Sequence, residues 1–198
     1  MVTDPRTPRP TSSGDDSDAA PEAVPGAGEP ALVELEAWDG LVLSTKGAYW
    51  KLSGAFGRLH AWMDAHAVSP AGPALGLFYD DPAVTATEEC RFSLCYPLSG
   101  DDVPRLRGLV AERAASDPAD TLEVRRFAAE SAVVVEYQGP AVDSPAVYAL
   151  LASWVTAHGL TPQGAPRERY IAEPGTLGGG RMHAWVEQAV AGNAGIRT

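Results

Sequence analysis

The chain has 198 residues with 45% hydrophobic and 8% aromatic content, the composition of a globular domain. Its net charge of −11 argues against a phosphate-binding surface of clustered Lys and Arg, and so against binding nucleic acid by itself. No window holds 18 uninterrupted apolar residues, which excludes a membrane-spanning helix and makes a membrane partner unexpected.

Residues 1–30 carry six prolines, three glycines and six acids against two bases, with no aromatic. Such a segment buries too little apolar surface to offset its ordering entropy, so a disordered tail is expected, dispensable for stability. It has no continuous apolar run of a signal peptide and no room for a helix-turn-helix. Residues 31–45 read as β, with a turn at Asp39-Gly40. Ser53 stands where an N-cap should stand, and Phe56, Leu59, Met63 and Ala67 recur at helical spacing. A short strand follows at 75–79 and a closing strand at 91–98. Residues 99–121 form a long connection, in which Leu106, Leu109 and Val110 suggest a short helix. Strands are expected at 122–127 and 132–137. Ser144-Pro145 then reads as an N-cap and first-turn proline, with Val147, Tyr148, Leu151, Val155 and His158 on one helical face and Gly159 as terminator. Strands at 167–172 and 181–190 complete the pattern, and residues 191–198 form a C-terminal tail.

Residues 47–82 and 139–174 superpose at an offset of 92 without a gap. Eight pairs are identical, among them Trp62/Trp154 and His66/His158. About two matches would be expected by chance. The period is too long for a solenoid. It indicates duplication of a half-domain: one repeat over 31–98, a linker over 99–121, and a second repeat over 122–190. The predicted fold class is α+β, two pseudo-twofold-related β-rich halves, each with one long helix. Together they form an antiparallel sheet with a ligand groove between the halves. The matched tryptophans are expected in the core. Cys90 and Cys95 are an odd number of residues apart on a predicted strand, so they point to opposite faces and cannot pair. Reduced thiols suit a cytoplasmic protein.

Four segments in this frame, Lys46-Gly47-Ala48-Tyr49, residues 76–82 (GLFYDDP), Tyr137-Gln138-Gly139-Pro140 and residues 166–170 (PRERY), resemble the GyrI-like family. That family shares its fold with the effector-binding domains of MerR-type and AraC-type multidrug regulators. The resemblance covers residues 31–190. It departs from the family where no aromatic follows Gly139-Pro140, where Ala189 replaces a proline, and in the longer linker. It implies a small-molecule site in which a buried glutamate, here Glu168, faces cationic drugs.

Strand alternation reaches the same residue. Pro166, Glu168 and Tyr170 share one face, and the repeat places Gly76, Phe78 and Asp80 on the matching face. A carboxylate among Phe78, Tyr170 and the nearby Tyr49 suits a hydrophobic cation, drawn to aromatic faces and neutralised by the acid. The bland alternative pairs Glu168 with Arg167 or Arg169 at the surface. Trp185 and Glu187 share a face of the last strand and make either a second pocket wall or a polar outer face. Tyr137, from the third family segment, joins the candidate ligand-binding set. Glu168 and Glu187 are the candidate catalytic acids. No metal cluster accompanies His66 or His158, and residues 178–180 (GGG) lack the Lys-Ser/Thr of a phosphate loop, so no metal or cofactor is expected.

The leading expectation is a module that sequesters or senses hydrophobic, cationic drugs or toxins. The alternatives are a hydrolase of cyclopropane-bearing DNA-alkylating natural products, an activity the family resemblance brings in, and a gyrase-inhibitor-like protein with a protein partner.

Overall fold

The computed structural model describes residues 23–114 and 121–192. Among the described residues nine strands and three α-helices follow one another: β1 (Ala31–Leu35), β2 (Trp38–Lys46), α1 (Leu52–Ala65), β3 (Leu75–Phe78), β4 (Arg91–Pro97), α2 (Val103–Ala114), β5 (Thr121–Phe127), β6 (Glu130–Pro140), α3 (Ser144–Ala157), β7 (Thr161–Pro162), β8 (Arg167–Ala172) and β9 (Arg181–Ala191). The strands form one curled antiparallel sheet in the order β1-β6-β9-β8-β3-β4-β2-β5, with β7 beside β9. The α+β class and the two helix-bearing halves are as predicted.

The offset of 92 carries α1 onto α3, β2 onto β6, β3 onto β8 and β4 onto β9. At the centre of the sheet β3 pairs with β8, and Gly76 stands opposite Glu168, its own repeat partner. The pseudo-twofold axis therefore passes through the Gly76/Glu168 pair. At the edges the halves exchange strands. Repetition relates β1 to β5, yet β1 pairs with β6 and β5 pairs with β2. Each half is closed by a strand on the far side of a connection, which ties the halves into one core.

Alternation along each strand separates two faces. Leu41 and Leu43 of β2, Phe92, Leu94 and Tyr96 of β4, and Val133, Val135 and Tyr137 of β6 pack with Phe56, Leu59 and Met63 of α1 and Val147, Leu151 and Val155 of α3. Val42, Leu75, Leu77 and Cys95 form a smaller cluster on the outer face, beneath the stacked rings of Trp38 and Phe127. Leu106 and its neighbours on α2 complete the main core. Both cysteines are free and buried.

Several local expectations are corrected. Asp39-Gly40 lies within β2 and makes no turn, because β1 and β2 run to opposite ends of the sheet. Gly40 serves close packing: a Cβ there would stand 2.4 Å from the Cys95 sulfur and 2.7 Å from the Trp38 ring. Ser53 and Ser144 lie inside their helices. Each helix continues from a short 3-10 turn, over Tyr49–Lys51 and Ala141–Asp143, and neither uses a side-chain cap. Ala67 is past the end of α1, at φ 52°. Gly159, at φ 64°, ends α3 as predicted.

Trp62 and Trp154 are half-buried at the edge of the core. Each stacks on the histidine four residues on, with ring centroids 4.1 Å and 3.6 Å apart. Nδ1 of His66 and of His158 lies 2.7 Å and 2.8 Å from the tryptophan's own carbonyl oxygen. The identical Trp and His positions thus build a stacked C-terminal stop for each helix, which explains their pairing in the repeat better than full burial does.

The disordered-tail expectation for residues 1–22 falls outside the described residues. Residues 23–30 are ordered against β6. Gly28 N–H donates to the Glu136 carbonyl at 2.7 Å and Gln138 N–H to the Gly26 carbonyl at 2.9 Å, while Val24 and Ala27 join the core. Removing residues 1–30 will lower the unfolding free energy by about 1–3 kcal/mol relative to removing residues 1–22. Chemical denaturation of the two truncated chains measures the difference, and equal midpoints would show that the 23–30 contacts contribute nothing.

Candidate functional site

The site is assembled on the helix-bearing face where the axis crosses the sheet. Glu168, the second residue of β8, is only 7% exposed. The Tyr170 hydroxyl, two residues along the same strand, donates to one carboxylate oxygen at 2.6 Å. The Tyr148 hydroxyl, reaching down from α3, donates to the other at 2.8 Å. Among the described residues no cationic side chain pairs with this carboxylate. Glu168 therefore does not take the surface pairing with Arg167 or Arg169. Those arginines point to the opposite face.

Gly76 stands opposite it and lets neighbouring rings pack close to the strand. A Cβ there would stand 3.0 Å from the Tyr170 hydroxyl and 3.1 Å from the Phe78 ring, so a side chain would press on both. Phe78 extends the same face of β3, and Tyr49 packs edge-on against it at 5.0 Å and against Phe92 at 5.8 Å. Tyr49 is fixed by its hydroxyl, which donates to the Asp80 carbonyl at 2.7 Å. The side chain of Asp80 offers no second anion to a ligand. Hydrogen bonds from the Arg91 side chain and backbone hold its carboxyl at about 2. Beyond Tyr170, Phe56 of α1 meets its ring edge-on at 5.7 Å. On the far side of Phe56, the Tyr96 hydroxyl donates to Glu173 and lies 2.5 Å from Nε2 of His60.

Burial pushes the Glu168 carboxyl above the ordinary range, and the two tyrosine hydroxyls, which favour the anion, oppose that rise only in part. Burial, together with the neighbouring carboxylate, pushes both tyrosines far up, so they act as donors. The resulting site is a desolvated acid with two fixed donors and a wall of aromatic rings.

Of the sequence-predicted residues, the structure gathers Glu168, Tyr170, Phe78 and Tyr49 here. It does not gather the others. Tyr137 is fully buried, its ring packed over Gly139 and its hydroxyl donating to the Pro140 carbonyl at 2.9 Å. Trp185 and Glu187 lie on the outer face, because they alternate with Ala184 and Val186, which face the core. There Glu187 is 1% exposed and accepts from Nε of Arg167 at 2.7 Å and Nε of Arg169 at 2.6 Å. A carboxylate held by two guanidiniums on the far face is unsuited to a catalytic role at Glu168. Two site residues escape the strand reading, Phe56 and Tyr148. The repeat contained the signal, since the two are offset by 92 on helix faces directed at the sheet centre.

The sequence matches the profile of the GyrI-like small molecule binding domain over residues 28–179. No curated protein sequence matches it significantly. Among solved structures, the EcmrR C-terminal domain is similar with a TM-score of 0.62 at 17% identity, over 83% of this chain and 98% of that one. EcmrR in its complex with DNA gives 0.66 at 14% identity, over 87% of this chain and 60% of that chain. A hydrolase from Listeria innocua gives 0.55 at 12% identity, over 82% and 92%. The fold and site define a small-molecule-binding domain with a buried acid at its centre. The chain belongs to the GyrI-like family.

The raised Glu168 carboxyl predicts a pH signature. Its contribution to stability is fully present below the unfolded glutamate value of about 4.3 and is lost as pH rises through the folded value. Subtracting the unfolding free energy of Glu168→Gln from that of the parent cancels the other titrating groups. The difference will fall with rising pH across that window and then level off. Denaturation series at stepped pH measure it, and a flat difference would mean that the carboxyl is not desolvated.

Proposed function

We propose that the protein binds hydrophobic cations, drugs or toxins with a delocalised or quaternary positive charge, and so sequesters or senses them. The observation that carries this reading is the buried Glu168 carboxylate, which has two hydroxyl donors and no cationic partner among the described residues. Such a group favours a guest that brings the missing positive charge and tolerates a dry site. The rings of Tyr49, Phe78, Tyr148 and Tyr170 offer faces and edges to the guest, each cation–π contact contributing about 0.5–2 kcal/mol.

Glu168→Gln keeps the shape and removes the charge. Affinity for a lipophilic cationic dye is expected to drop by about 2–5 kcal/mol, while a neutral analogue of the same shape is hardly affected. Affinity of the parent for the cation will also decline in acid as Glu168 protonates. Fluorescence titrations of both proteins with both ligands, at two salt concentrations, decide the matter. Equal losses for cation and neutral analogue would make the residue structural.

One observation favours hydrolysis as a second reading: a carboxyl raised by burial is suited to give a proton. In ring opening of a cyclopropane-bearing alkylator, Glu168 would protonate the departing ring carbon. Water would add to the other carbon and return a proton to the site. Mass spectrometry of such an incubation is then expected to show the water adduct, formed more slowly by Glu168→Gln. Tight binding with no adduct would eliminate this reading and leave the first intact.

A further inference from the structure

On the outer face, away from Glu168, the sheet carries a second polar depression. Ser44 of β2 stands directly opposite Ser93 of β4 and also opposite Thr121 of β5. Two residues along the same face, Lys46 stands opposite Arg91. Like charges directly across a ladder repel. Around them lies a cleft of about 440 Å³, lined among others by Ser44, Lys46, Tyr79, Arg91, Ser93 and Arg125. Three of the 15 Lys and Arg residues converge there in a protein of net charge −11.

The cleft has a hydroxyl donor to spare. Nη1 of Arg125 donates to the Tyr79 hydroxyl at 3.4 Å, and that hydroxyl donates to Oγ of Ser93 at 3.0 Å. Oγ of Ser93 lies 2.8 Å from Oγ of Ser44. Whichever serine donates within the pair, one hydroxyl proton is left over. The carboxylates that serve the cations stand outside the lining: Glu89 pairs with Lys46, Asp80 with Arg91 and Glu123 with Arg125. The Lys46–Glu89 pair is exposed on both sides, so it is weak and readily exchanged. Arg91 and Arg125 are each held by two side-chain bonds, to Asp80 and to Glu123, but Arg125 also turns Nη1 to the Tyr79 hydroxyl at the head of the hydroxyl chain. Lys46, through its exposed pair, and the Nη1 edge of Arg125 are therefore the cationic donors the cleft offers.

We propose that this cleft binds the oxyanion group of a small molecule, a carboxylate, sulfate or phosphate, through Lys46, Arg125 and the Ser44–Ser93 hydroxyl pair. The local carboxylates hold the total charge of the rim near neutral, so the site suits a single oxyanion group on a small body and not a polyanion. It is independent of the Glu168 site and lies on the other side of the sheet.

The test is an amide NMR titration of the full chain with sodium sulfate, sodium phosphate and sodium acetate, each against sodium chloride at equal ionic strength. Saturable shifts are expected at Ser44, Tyr79, Ser93 and Thr121 with at least one oxyanion and not with chloride. Ser44→Ala and Arg125→Gln should each weaken that binding about tenfold, the worth of one charge-assisted hydrogen bond. Glu168→Gln should leave it unchanged. Ser44→Ala removes only a hydroxyl, so it stays informative if Arg125→Gln fails to fold. Shifts that follow ionic strength alone, that centre elsewhere, or that survive Ser44→Ala unchanged would overturn the assignment.

Discussion

A carboxylate buried at the centre of a sheet and held, among the described residues, by two phenolic hydroxyls is the constraint on which the rest of the arrangement depends. Taking an ionised acid out of water is costly, and two neutral hydrogen bonds offset only part of that cost. The surroundings must therefore be fixed by other means. Gly76 has to stand opposite, since any side chain there would press on the Tyr170 hydroxyl. Helix α3 has to lie over β8 closely enough for Tyr148 to reach Glu168. Exchange of the edge strands β1 and β5 between the halves supplies rigidity around this point, because neither half can close its share of the sheet alone.

Duplication explains how such a site arises. At the axis the two halves present three related pairs: Gly76 with Glu168, Phe78 with Tyr170, and Phe56 with Tyr148. In every pair the first half contributes the group without a polar side-chain atom, and the second contributes the acid or the hydroxyl. A symmetric site would have placed two carboxylates across one ladder position, where they would repel. The asymmetric version keeps one acid and puts a glycine at its mate, over which the Tyr170 hydroxyl and the Phe78 ring close. The centre of the sheet thereby acquires a polar side and an apolar side.

Much of this was legible in the sequence, and the unread parts share a cause. Alternation along residues 166–170 and 76–80 placed Glu168, Tyr170 and Phe78 on one face, because the period of two is a local property of the strand. The helical period puts Tyr148 on one face of its helix but not at the site, since the reach of a helix side chain depends on how the helix crosses the sheet. Asp39-Gly40 has the composition of a turn, yet the glycine is required by the Cys95 sulfur and the Trp38 ring, contacts made across strands. Residues 23–30 have the composition of a tail, yet their backbone finds the otherwise open end of β6. In each case a long-range contact overrode a local signal.

The two buried glutamates show how finely register decides the surroundings of an acid. Glu168 and Glu187 sit on adjacent strands, where Arg167 stands opposite Glu187 and Glu168 stands opposite Val186. On the outer face the acid meets two guanidiniums within 2.7 Å and is neutralised by the protein itself. On the inner face the acid meets two hydroxyls and, among the described residues, no guanidinium. A shift of β8 by one residue would carry Glu168 to the arginine face and turn Arg167 into the core. The β-bulge between Tyr170 and Ala172 falls after both site residues on β8, so the irregularity leaves their shared face intact. What distinguishes the two acids is therefore neither residue type nor burial, which they share. It is which side of the sheet the strand period assigns to each, and whether the cations of the fold lie on that side.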